Sequence, residues 1–80
     1  MKFHQYDVVK IIDIDSNYVW QRTLGFGKSP DIGDIATIVE IYKYPIVGFE
    51  LECCNKDETL WLETFSNNQV KLELIKKAEL

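Results

Sequence analysis

Arginine is nearly missing from this chain of 80 residues: Arg22 stands alone among nine cationic side chains, against thirteen acidic ones. The formal net charge is −4 and the isoelectric point is about 4.8. Nucleic-acid binding draws its affinity from neutralised phosphates and shows a basic footprint. The charge balance argues against that class and for a basic protein as partner. Histidine is as scarce. His4 is the only one, and it lies beside the terminus, where a Ser–His or Cys–His pair has no positioned base. Cysteine occurs only as the neighbours Cys53 and Cys54. Adjacent strand residues point to opposite faces and do not pair as a disulfide. Two spaced ligand pairs for zinc are lacking as well. No catalytic residue, metal or cofactor is expected. The opening residues, MKFHQYD, hold no long apolar run. No signal peptide or transmembrane segment is expected, and the cytoplasm is the expected compartment.

Glycine is limited to four residues and proline to two, and all but Gly48 fall between apolar, β-branched runs. Those runs define the predicted strands. The first covers residues 6–14 (YDVVKIIDI), the second 35–42 (IATIVEIY) and the third 46–54 (IVGFELECC). The third alternates with period two, with Val47, Phe49, Leu51 and Cys53 on one face and Glu50, Glu52 and Cys54 on the other. Residues 59–65 form the fourth and 70–75 the fifth, with a helix from residue 69 as the alternative for the tail. A long connection, residues 15–33, follows the first strand. It holds Gly25, Gly27, Pro30 and Gly33 together with Tyr18, Trp20, Leu24 and Phe26. A connection with that apolar content is functional or folded back on the core. Its stretch Gly25-Phe26-Gly27-Lys28-Ser29 lacks the spacing of a phosphate loop, and Pro30 stands where the required helix would begin. The whole reads as one all-β domain over residues 1–80 with its core in 6–74: a small five-stranded antiparallel barrel with a long loop after the first strand.

The stretch Gly33-Asp34-Ile35-Ala36-Thr37-Ile38-Val39-Glu40-Ile41 resembles the glycine-led second strand of SH3-like barrels. These include KOW-type modules, the variable chain of ferredoxin–thioredoxin reductase and the peripheral barrel subunit of photosystem I. It is also similar to short bacterial proteins that open on a YDVV strand. Asp7-Val8-Val9-Lys10, Phe49, Leu51 and the polar turn 66–69 fit the same register. Ala36 stands where the pattern often has glycine. The resemblance implies an SH3-like barrel and no single function, since such barrels bind RNA, peptides or proteins.

Tyr18, Trp20 and Phe26 on the long loop, with Tyr42 and Tyr44 near the next turn, are the candidate contact residues, because Trp and Tyr are enriched among binding hot spots. Glu50, Glu52 and Glu63 are expected on a charged outer face, as rim charges toward a basic partner. The leading expectation is a non-enzymatic, acidic protein-binding module, an immunity- or antitoxin-like inhibitor of a basic partner such as a toxin nuclease. The resemblance supplies two alternatives: an accessory barrel subunit of a larger redox enzyme, and a KOW-like nucleic-acid-binding module.

Overall fold

The computed structural model describes residues 3–20 and 27–79. Five strands follow one another along the chain: β1 (Val8–Ile14), β2 (Ile35–Tyr42), β3 (Gly48–Asn55), β4 (Glu58–Ser66) and β5 (Val70–Lys76). They form one antiparallel sheet in the order β4-β3-β2-β1-β5. No helix occurs among the described residues, so none there is long and apolar enough to cross a membrane. The tail continues as strand, which decides against the helical alternative. β4 and β5 are the two edges, and hydrogen bonding does not close the sheet into a barrel.

Alternation explains the core. Val9 and Ile11, Ala36 and Ile38, Phe49, Leu51 and Cys53, Trp61 and Phe65, and Val70 all point inward and are buried. Each fully buried aliphatic or aromatic side chain contributes roughly 1.5–3 kcal/mol. Phe3, Ile14, Tyr18, Ile41, Leu60 and Leu72 pack around this set. The ladder carries four register shifts, between Val8 and Val9, Ile11 and Asp13, Ile38 and Glu40, and Cys53 and Cys54. An extra residue on one strand bends it and increases its twist, and the shifts coil the sheet around its inner face. Ile12 is the extra residue at one shift and is 46% exposed. Strict alternation along residues 6–14 puts Ile12 on one apolar face with Val8, and the extra residue breaks that match.

β1 starts two residues later than its sequence suggests. Tyr6 has φ 73° and Asp7 donates its amide to the His4 carbonyl, a turn ahead of the strand. The Asp7 side chain is buried and ties two distant segments together. It accepts the Ala78 amide at 2.7 Å and the His4 amide at 2.9 Å. These two bonds hold its carboxyl below the usual range, outweighing the desolvation that opposes them. Gly33 supplies the φ of +98° that the turn into β2 requires.

Candidate protein-docking face

The outer face of β2, β3 and β4 follows from the same alternation. Glu40 on β2 lies directly across from Glu50 on β3, Thr37 across from Glu52, and Tyr42 across from Gly48. On the far side of β3, Glu50 meets Thr64 and Glu52 meets Leu62. Like charges directly opposite each other destabilise a sheet. Among the described residues, no cation lies within 4 Å of Glu40, Glu50 or Glu52. The carboxylates are fixed by neutral donors instead. The Tyr42 hydroxyl donates to Glu50 Oε1 at 2.8 Å, the Ile41 amide to Glu40 Oε1 at 3.2 Å, and the Thr59 hydroxyl to Glu52 Oε2 at 2.9 Å. The bond to Glu50 pushes the Tyr42 phenol pKa up, and the Glu50 and Glu40 charges add to it.

Beside this acidic row, the β2–β3 hairpin opens an apolar groove of about 340 Å³. Tyr42, Tyr44, Pro45 and Ile46 line one side, with Gly48, Phe65 and Ser66 below. Tyr44 is 89% exposed and Ile46 63% exposed. Gly48 has no room for a side chain, since a Cβ there would stand 2.8 Å from the Phe65 carbonyl oxygen. Its missing side chain lets β4 approach and keeps the groove floor low.

The structure divides the contact residues expected from sequence. Tyr42, Tyr44, Glu50 and Glu52 share the face just described. Glu63 does not. It pairs with Leu51, between Trp61 and Phe65 on the inner side of β4, because it is an even number of residues from both. Tyr18 meets it there. The Tyr18 hydroxyl donates to Glu63 Oε2, and its ring lies 4.8 Å from that of Phe65. Burial, then the bond to Glu63, raises the Tyr18 pKa. Tyr18 is therefore a cap on the core and Glu63 its polar anchor, not a rim charge. Trp20 is partly buried on the same loop. Phe26 lies outside the described residues.

A second polar cluster went unread in the sequence. Asp34 Oδ2 accepts from Lys28 Nζ at 2.7 Å, from the Trp61 indole N–H at 2.8 Å and from the Asp31 amide at 3.0 Å. Burial pushes the Asp34 carboxyl up, but the bonds from Lys28, Trp61 and Asp31 outweigh it and the net shift is downward. Lys28 is raised, its bonds to Asp34 and Asp31 exceeding the cost of desolvation. Cys53 lies beneath. Burial and the Asp34 charge raise its pKa, so it is a protonated core thiol. Cys54 is exposed. The cluster fastens the end of the long loop to the core, as Tyr18 fastens its beginning.

No family model, curated protein or solved structure matches the chain. The reading of the docking face therefore rests on its own geometry. Glu40, Ile46 and Gly48 belong to it and were missed in the sequence. Among the described residues, no group of three or more His, Cys, Asp or Glu is placed to hold a metal ion. His4 is exposed, with its imidazole 4.0 Å from the Asp7 carboxylate.

Proposed function

We propose that the chain is a non-enzymatic binding module that captures a basic protein on the outer face of β2 and β3. The observation that carries this is the Glu40–Glu50 pair, two like charges directly opposed beside an exposed aromatic groove. A sheet optimised for stability alone would place opposite charges there. Acidic complementarity accelerates encounter and rejects wrong partners, and Tyr42 and Tyr44 supply the apolar anchor of an interface core. An immunity- or antitoxin-like inhibitor of a basic partner in a reducing cytoplasm fits this face, and the free Cys53 and Cys54 accord with that compartment. We read the fold as an SH3-like barrel left open between β4 and β5. The strand order and the four coiling register shifts support that reading.

The test is affinity capture with the wild-type chain and with Glu40→Gln/Glu50→Gln/Glu52→Gln. The expected result is a basic protein retained by the wild type at low salt, shed at high salt, and bound poorly by the variant. The variant should lose association rate more than it gains dissociation rate. Equal retention by both chains overturns the reading.

A further inference from the structure

We propose that Glu40 and Glu50 together form a seat for one guanidinium, so that the partner docks through an extended Arg-x-Φ segment, Φ being a bulky apolar residue. This rests on the docking face proposed above and names what occupies it. One oxygen of each carboxylate is engaged. Oε1 of Glu40 is taken by the Ile41 amide and Oε1 of Glu50 by the Tyr42 hydroxyl. Each carboxylate is thereby oriented and keeps Oε2 open. Directly opposed residues have Cβ atoms about 4.5–5.5 Å apart. Carboxylates carried side by side from such positions, one on each strand, suit a planar group with several N–H donors in a fixed fork. Arginine presents five such donors, and lysine is a point charge on a flexible stem.

The second half of the motif follows from strand spacing. The Tyr42–Gly48 row lies two residues along from the Glu40–Glu50 row, a step of about 7 Å at roughly 3.3 Å per residue. The groove opens at that row, with Tyr42, Tyr44 and Ile46 around it and Gly48 in its floor. In an extended ligand, side chains two residues apart point the same way and are separated by the same step. An arginine over the two glutamates therefore brings an apolar residue two positions away over the groove. The exposed edge of Tyr44 stands ready to cover it.

The probe is the blocked peptide Gly-Arg-Gly-Trp-Gly-Gly, titrated into isotopically labelled protein and followed by amide chemical shifts. Versions with lysine or citrulline for arginine, and one with Trp directly after Arg, serve as comparisons. The expected result is a saturable shift confined to residues 40–50 and 64–66, which line the groove. Citrulline, Glu40→Gln and Glu50→Gln should each weaken binding about tenfold or more, the loss expected for a charge-assisted hydrogen bond. Lysine and the shifted Trp should be intermediate. Equal binding of arginine and lysine peptides, shifts elsewhere, or no saturable shift at millimolar peptide overturns the arginine seat. If the glutamine substitutions still release the captured protein partner in that case, the docking face stands and only its occupant is wrong. If they do not, both fail.

Discussion

The two halves of the sheet treat charge in opposite ways. Across β1 and β5, Lys10 faces Glu73 and Asp13 faces Lys71. Neither pair closes to within 4 Å, but the signs attract. Across β2 and β3, Glu40 faces Glu50. The same ladder geometry thus carries complementary charge on one side and repulsion on the other, and Tyr42 and Tyr44 lie exposed on the repulsive side. Cross-strand pairs of either kind amount to roughly 0.2–1 kcal/mol. A local choice that works against folding, beside a groove, is what a surface reserved for a partner looks like. On the proposed reading, the first half serves the fold and the second serves a partner.

Both halves share one core, and the largest expected effect lies there. Trp61 is 1% exposed, and Trp61→Ala should cost about 3–5 kcal/mol of stability, measured by urea denaturation. One transition, shared by circular dichroism and hydrogen exchange in all five strands, is expected. Separate transitions for β1–β5 and β2–β4 would break the comparison by making the halves independent bodies.

Asp34→Ala should come next. It leaves the Trp61 indole N–H and the Lys28 ammonium without their shared acceptor, at about 1–3 kcal/mol. Asp34→Asn keeps an acceptor and should cost less. A thermal melt of the two variants separates loss of the acceptor from loss of the charge.

Acid should act on both halves through Asp7 and Asp34. Each is depressed below the usual 3.8 in the folded chain. The unfolded state therefore binds more protons in this range. The stability they contribute is fully present above pH 3.8 and is lost as pH falls through the lower folded values. Urea midpoints measured across that window should fall with pH. The fall should be shallower in Asp7→Asn and Asp34→Asn.

The smallest effects test the charge contrast itself. Glu40→Lys should stabilise the sheet by about 0.2–1 kcal/mol, and Lys10→Glu should destabilise it by a similar amount. Both shifts should shrink at 1 M salt, where the screening length is about 3 Å. The first should also abolish partner capture and the second should spare it. Equal loss of capture by both would show that net charge, not the acidic face, attracts the partner.

Much of this architecture was legible in the residues. The β-branched runs and the turn formers between them place all five strands, and β2 falls on residues 35–42 as expected. The misses have physical causes. Ile46 and Val47 are as apolar as a strand, but β3 begins at Gly48, and Ile46 is left exposed in the hairpin, where composition alone does not reveal it. Its charge alone puts Glu63 outside. The alternation Trp61, Glu63, Phe65 already assigned it to the inner face, with Tyr18 to satisfy it. Glu40 was readable by counting, since Tyr42–Gly48, Ile41–Phe49 and Glu40–Glu50 are each symmetric about Pro45. Asp34 was not. Its meeting with Trp61, 27 positions away, is set by how the long loop folds back on the sheet, and no local pattern encodes that.

The Asp7 clasp has a mechanical consequence. It holds the amides of His4 and Ala78 on one carboxylate, and Val8 pairs with Lys76 just inside it. A force applied at the two ends of the chain therefore loads these two bonds and the Phe3–Phe49 ring contact before the ladder. Past them, it pulls antiparallel β1 and β5 apart from the same end, so the ladder bonds break one after another like a zipper. Strands pulled from opposite ends share the load across every bond at once. Under tension this domain should yield at low force and from its outermost pair inward.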